Sequence, residues 1–183
     1  SHKEKGWFRD VRSDDLAVEV VKALIARTGI DPDEIEDVVL GNTQQQREQG
    51  FNVARSVGLM AGVPVEAGGA TVNRLCGSSM TALHTAAKSI MAGYGDVFVV
   101  GGVEHMGHVP MMHGIDFNPA NSRRNAKAAG NMGLTAEYLA RMHKIGRQPQ
   151  DEFALRSHQR AHAAATSGGF RDEIVPVEAH DEK

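Results

Sequence analysis

The feature of this 183-residue sequence that most constrains its fold is a strand–helix–strand succession over residues 68–100. Residues 70–74 follow a Gly-Gly turn and predict a strand, and the apolar run 96–100 predicts a buried strand. Residues 77–92 between them predict a helix whose buried side carries the apolar residues Met80, Leu83, Ala87, and Ile90 or Met91. Because a crossover of this length joins parallel strands, the chain is predicted to build a layered α/β fold.

Further elements of the same kind flank this unit. The sequence predicts a helix that Ser13 caps and Gly29 ends, and a buried strand over residues 37–41. It also predicts a short strand over 173–177, whose proline suits a sheet edge. Three more helices are predicted, over residues 52–60, 134–143 and 150–167. Residues 103–131 lack sustained periodicity, and a loop of this length indicates either a functional segment or an element that the pattern does not reveal.

The composition excludes several classes of protein. The chain carries 20 Lys and Arg against 23 Asp and Glu, so no basic excess indicates nucleic-acid binding. No apolar run exceeds four residues, which excludes a membrane span within this sequence. A single cysteine excludes both an internal disulfide and a multi-cysteine zinc site. We therefore expect a cytoplasmic α/β protein with one thiol to explain.

That thiol, Cys76, lies between a predicted strand end and a predicted helix start. Ligands of parallel α/β sheets gather at the carboxyl ends of strands, and the positive end of a helix favours a thiolate. A thiolate is the form that attacks carbonyl carbon, and the small residues Gly77, Ser78 and Ser79 leave it accessible. The position suits a nucleophile, but it equally suits a buried structural cysteine.

Four segments, in order along the chain, resemble the thiolase family. Residues 72–79 (Val-Asn-Arg-Leu-Cys-Gly-Ser-Ser) resemble its nucleophile segment, and residues 101–106 match its Gly-Gly-x-Glu-x-Met segment. Residues 131–137 resemble the start of its loop-domain helix, and 170–176 its Phe-x-x-Glu-Ile-x-Pro segment. Residues 104–110 look most like degradative 3-ketoacyl-CoA thiolases, the β-subunit type of bacterial fatty-acid oxidation complexes.

The resemblance implies a thiolase-like layered sandwich. Residues 1–102 would form an amino-terminal α/β half-domain without its first strand, and residues 103–183 part of a mostly helical loop domain. The family's carboxy-terminal domain, with its Gly-His-Pro, Asn-Glu-Ala-Phe and Cys-x-Gly motifs, has no counterpart in this sequence. We therefore expect these residues to be part of a longer polypeptide and to be inactive alone.

The resemblance also implies a reaction. Cys76 would be the catalytic nucleophile that cleaves a 3-ketoacyl-CoA to acetyl-CoA and a shortened acyl-CoA, and Met132 would line the acyl and coenzyme A pocket. No cofactor is expected, because coenzyme A is a substrate. His105, His108 and His113 have a spacing at which a metal site is conceivable, but packing roles are favoured and no metal is expected.

The expected partners are acyl-CoA and coenzyme A, a second copy in a homodimer or dimer of dimers, and the multifunctional α-subunit of β-oxidation. Neither nucleic acid nor a membrane is among them. Three alternatives remain open at this point: a biosynthetic acetoacetyl-CoA thiolase, a sterol-carrier type thiolase or ketoacyl synthase, and a truncated, non-catalytic acyl-CoA-binding module.

Overall fold

The computed structural model describes residues 5–126 and 130–179. The chain divides into two compact units, one from the described parts of Ser1–His113 and Val175–Lys183, the other from Gly114–Ile174. The division into an amino-terminal half-domain (1–102) and a loop domain (103–183) stays a prediction. It includes residues that lie outside the described ranges, namely 1–4, 127–129 and 180–183. None of the helices in the described ranges is long and apolar enough to cross a membrane.

The first unit contains the strands β1 (Asp37–Gly41), β2 (Gly68–Val72) and β3 (Phe98–Gly102). They form a three-stranded parallel sheet in which β1 lies between β2 and β3. Gly41 pairs in register with both Val72 and Gly102, so the three strands end at one edge. The predicted parallel arrangement is confirmed, although β2 lies slightly earlier and β3 slightly later along the chain than expected.

Helices cover both faces of this sheet. The first unit contains the helices α1 (Ser13–Thr28), α2 (Val53–Met60) and α3 (Ser78–Met91). Val38 and Leu40 of β1 share one apolar cluster with residues of α1 and α2, namely Val18, Val21, Val53, Ala54 and Val57. Side chains alternate between the faces of a strand, so α3, which lies against Gly41, covers the opposite face.

The side of α3 that faces the sheet differs from the prediction. Its buried residues are Ser78, Ala82 and Ala86, which are small. The residues expected to be buried are exposed instead: Ala87 and the larger Met80 (56% exposed), Leu83 (48%), Ile90 (45%) and Met91 (87%). The reason is close approach, because a Cβ atom at Gly41 would overlap the backbone of Ser79 and lie 2.8 Å from the Ser78 Cβ. Only small side chains fit beneath a helix held this near to the strands.

The regular elements described in the second unit are helices, with turns and irregular segments between them. The unit contains α4 (Met132–Met142) and α5 (Arg147–Thr166), which confirms the two helices predicted there. The Asn131 side chain caps α4 by accepting a hydrogen bond from the Leu134 N–H (3.1 Å). Residues 173–177 form no strand, so that prediction is wrong. A strand requires a hydrogen-bonded neighbouring strand, and the sheet in the described part of the chain consists of β1, β2 and β3 alone.

Candidate active site

Cys76 lies in the turn that leads from β2 into α3, at the edge where all three strands end. The cysteine is exposed, so the structure does not place it in the apolar core. Gly77 is the residue that precedes the first turn of α3, and it is followed by the buried Ser78. The thiol therefore stands at the positive end of a helix, where negative charge is stabilised.

The turn before Cys76 has an unusual backbone conformation at Leu75, whose φ is +49°. Left-handed backbone is uncommon for a residue other than glycine, and it persists only where surrounding contacts hold it. Two backbone hydrogen bonds close the turn, from Gly77 N–H to the Arg74 carbonyl (3.0 Å) and from Ser78 N–H to the Leu75 carbonyl (3.0 Å). Cys76 thus lies, exposed, within a hydrogen-bonded turn.

Two side chains within the same segment reinforce this turn. The Ser78 hydroxyl donates to the Leu75 carbonyl (2.6 Å) and accepts from the Arg74 N–H (2.8 Å). The Asn73 side-chain oxygen accepts from the Leu75 N–H (2.9 Å). Both polar groups of the Leu75 backbone are therefore bonded, which offsets part of the cost of its conformation.

The ends of the neighbouring strands contribute the remaining contacts. Thr43, which follows β1, donates its hydroxyl proton to the Leu75 carbonyl (3.1 Å), and its own carbonyl accepts from the Asn73 amide (2.9 Å). Glu104, which follows β3, accepts from the Thr43 N–H (2.7 Å) through Oε2. Its Oε1 accepts from the side chain of the fully buried Gln49 (2.7 Å). A connected set of hydrogen bonds therefore joins all three strand ends to the Cys76 turn.

A second polar cluster lies beside this set and involves His105 and His108. Their rings stack with centroids 4.0 Å apart. His105 Nε2 lies 2.8 Å from the Phe8 carbonyl oxygen. His108 Nε2 lies 2.5 Å from the Arg9 carbonyl oxygen and Nδ1 lies 2.9 Å from Glu48 Oε1. These contacts give the two histidines a packing role, and no group of three or more potential metal ligands occurs among residues 5–126 and 130–179.

The charges within this cluster support one another. The Arg9 carbonyl and the Glu48 carboxylate raise the pKa of His108. Burial would raise the pKa of Glu48, but hydrogen bonds from the Ser13 N–H, from His108 and from the Ser13 hydroxyl outweigh it and lower that pKa. Ser13 is the first residue of α1 rather than its expected cap, and its N–H and hydroxyl both donate to Glu48 Oε1 (2.8 and 3.0 Å).

The other residue predicted to contact substrate, Met132, begins α4 in the second unit and is 60% exposed. Its place in an acyl pocket stays a prediction. The sequence alone indicates no hydrogen-bonding role for Thr43, Asn73, Ser78 or Gln49. Thr43 and Asn73 do come just after β1 and β2, and residues in such positions gather at one edge of a parallel sheet, but this position does not show which residues they contact.

Comparison with known proteins agrees with this geometry. A family model described as the thiolase N-terminal domain matches residues 1–183. A 3-ketoacyl-CoA thiolase of Shewanella loihica is 60% identical over 177 residues, which cover 96% of this chain and 46% of that protein. Proteins of the same name from Psychrobacter cryohalolentis and Photobacterium profundum are 57% and 60% identical, over 98% and 97% of this chain and 46% of their own lengths. The chain therefore spans about half the length of these curated relatives.

Proposed function

Because the chain belongs to the thiolase family, we propose that the protein is an acyl-CoA acyltransferase that cleaves 3-ketoacyl-CoA with coenzyme A. The relatives reported above carry the name 3-ketoacyl-CoA thiolase, which does not favour the biosynthetic or non-catalytic alternatives. The single observation that carries the proposal is the exposed Cys76 on a braced turn at the amino-terminal end of α3. This placement supports a nucleophile that a thioester substrate can reach.

In the first step, the Cys76 sulfur attacks the 3-keto carbonyl carbon and forms a new carbon–sulfur bond. The resulting oxyanion collapses, the bond between carbons 2 and 3 breaks, and its electron pair leaves as the enolate of acetyl-CoA. An acid must protonate that enolate to release acetyl-CoA. The acyl group remains on Cys76 as a thioester, which divides one difficult reaction into two easier ones.

In the second step, a base takes the proton of the coenzyme A thiol, and its sulfur attacks the acyl-cysteine carbonyl. The carbon–sulfur bond to Cys76 breaks, and the products are the shortened acyl-CoA and the Cys76 thiolate, ready for another cycle. Both steps pass through an oxyanion and need a nucleophile that carries or develops negative charge. The amino-terminal end of α3 supports both demands, because the helix dipole stabilises negative charge beside Cys76.

The wider biological setting is part of the same proposal. Fatty-acid β-oxidation is the process that consumes a 3-ketoacyl-CoA in this way, and we place the protein in the cytoplasm. Met132 would contact the acyl or pantetheine portion, since a flexible thioether adapts to apolar chains. The helices α4 and α5 would belong to an inserted loop domain. A homodimer or dimer of dimers, with a multifunctional α-subunit, completes the expected assembly.

The direct test is the substitution Cys76→Ala in the full-length protein. Thiolysis of 3-ketoacyl-CoA substrates of several chain lengths should fall to background, and no acyl group should be found on the chain by mass spectrometry. Lys22→Gln, an exposed change on α1, serves as the matched control and should retain activity. Substantial thiolysis by the Cys76→Ala protein would remove Cys76 from the mechanism and defeat the proposal.

A second measurement tests whether a substrate reaches the thiol. Iodoacetamide should alkylate Cys76 at pH 7 much faster than it alkylates free cysteine, because the end of α3 stabilises the reacting anion. Acyl-CoA should protect the cysteine by occupying the same site. Equal rates for Cys76 and free cysteine, or alkylation that acyl-CoA does not slow, would contradict the assignment.

A further inference from the structure

We propose that Thr43 and Glu104 are positioning residues for Cys76: together they hold the Leu75 carbonyl, and with it the turn that presents the thiol. This inference rests on the proposed function, since it assigns the two residues a role in the same reaction. Neither residue needs to touch substrate. Their effect is exerted through the backbone immediately before the nucleophile.

The turn needs support from outside its own segment because of the conformation of Leu75. Its φ of +49° is disfavoured for a branched, non-glycine side chain. The Leu75 side chain is 66% exposed and offers little packing to hold the backbone in place. The orientation of the following residue, Cys76, therefore depends on the hydrogen bonds of the Leu75 peptide groups.

The Leu75 carbonyl accepts three of these hydrogen bonds. Two come from Ser78, through its N–H (3.0 Å) and its hydroxyl (2.6 Å), and belong to the same turn. The third comes from the Thr43 hydroxyl (3.1 Å), which lies beyond the end of β1. Ser78 moves with α3, whereas Thr43 is anchored to the central strand. The Thr43 bond thus fixes the turn relative to the sheet rather than relative to its own helix.

Glu104 fixes Thr43 in turn. One carboxylate oxygen accepts from the Thr43 N–H and the other from the Gln49 amide, both at 2.7 Å. Gln49 is fully buried and also accepts from the His105 N–H (2.6 Å) and donates to the Gln44 carbonyl (2.9 Å). Since both Glu104 oxygens act as acceptors, a glutamine in its place could satisfy only one of the two donors.

These contacts can be altered without dismantling the core. Thr43 is only partly buried and Glu104 is exposed, whereas the apolar cluster of the first unit lies around Val38, Val53 and Val57. Loss of these hydrogen bonds should therefore displace the Cys76 sulfur while it changes the stability of the fold little. A displacement of about 1 Å at a reacting group is enough to reduce a rate strongly.

The experiment compares Thr43→Val, Thr43→Ser and Glu104→Gln in the full-length protein. The measured quantities are the rate of Cys76 acylation by acetyl-CoA in rapid-quench mass spectrometry, the split between kcat and KM in thiolysis, and the melting temperature. Thr43→Val should slow acylation about tenfold, mainly through kcat, with little change in melting temperature. Thr43→Ser keeps a hydroxyl and should recover a rate within about twofold of the parent protein.

Glu104→Gln supplies an independent arm, because it leaves the Thr43 hydroxyl in place and removes one acceptor of the network. Glu104→Gln should also slow acylation about tenfold. The double variant with Thr43→Val should be little slower than either single variant, because both substitutions act through the Leu75 carbonyl. Acylation at the parent rate in both single variants would overturn the positioning role while leaving the nucleophile assigned. Equal losses in Thr43→Val and Thr43→Ser would also overturn it. If the parent protein itself is not acylated on Cys76, the proposed function fails as well.

Discussion

A single added methyl group at Gly41 should destabilise the protein by forcing α3 away from the sheet. The Cβ atom of Gly41→Ala would lie 2.8 Å from the Ser78 Cβ and closer still to the Ser79 backbone nitrogen. Carbon atoms make favourable contact at about 3.5 to 4.0 Å, so the first turn of α3 has to move by on the order of 1 Å. Backbone atoms cannot rotate out of the way, and overpacking of this kind costs about 3 kcal/mol.

Urea denaturation of the full-length protein, followed by circular dichroism, measures this cost as a lower unfolding midpoint. Gly101→Ala is the matched control, because its methyl group would point to the other face and meet only the Leu40 Cδ2 at 3.4 Å. We expect Gly101→Ala to change the unfolding free energy by less than about 1 kcal/mol. If both variants unfold at the same midpoint, the close packing of α3 on Gly41 is not what limits substitution there.

Two further predictions concern the turn and the histidine cluster. Asparagine tolerates left-handed backbone and β-branched residues do not. Leu75→Asn should therefore keep the rate of Cys76 acylation, whereas Leu75→Val should lower it. Similar rates in the two variants would show that the φ of +49° is not required. The pKa of His108 is raised in the folded protein, so protonated His108 stabilises the fold. This stabilisation is complete below pH 6.5, the ordinary pKa of histidine, and is lost as the pH rises through the pKa that His108 has in the folded protein. The pKa of Glu48 is lowered, so ionised Glu48 stabilises the fold above pH 4.5, and this stabilisation is lost as the pH falls through the pKa that Glu48 has in the folded protein. The His108–Glu48 pair therefore stabilises the protein most between pH 4.5 and pH 6.5. His108→Gln should therefore lower the free energy of unfolding by about 1 to 2 kcal/mol near pH 6 and by less at higher pH. Urea midpoints across the pH range measure this loss, and a loss independent of pH would contradict the charge pairing.

Much of the first unit could be predicted from the sequence because its elements are short and sharply bounded. Residues 37–41, with Val38, Val39 and Leu40 at their centre, form β1 as expected, and Gly29 ends α1 in the left-handed conformation that glycine favours (φ +67°). Asp31 caps a short 3-10 turn over Pro32–Glu34 by accepting a hydrogen bond from the Asp33 N–H, two residues along the chain. These features depend on neighbours along the chain, and local sequence describes such neighbours well.

The buried side of α3 could not be predicted in the same way. Both of its faces are apolar, one with small residues such as Ala82 and Ala86, the other with large ones such as Leu83 and Ile90. Hydrophobic periodicity favours the larger residues for burial. The choice is made instead by Gly41, which lies far away in sequence and admits only a face of small side chains. Burial here is decided by the shape of the sheet and not by the hydrophobicity of the helix alone.

The same limit explains why the nucleophile could be proposed from sequence and its supports could not. Cys76 is marked by its place between a strand and a helix, which is local information. Thr43 is 32 residues from Leu75 and 61 residues from Glu104, and no spacing rule connects such positions. They meet because β1 is the central strand and Gly41 is level with both Val72 and Gly102, so that the residues just beyond each strand share one edge. Strand order and register therefore carry the information that places the supports, and both arise only once the sheet has formed.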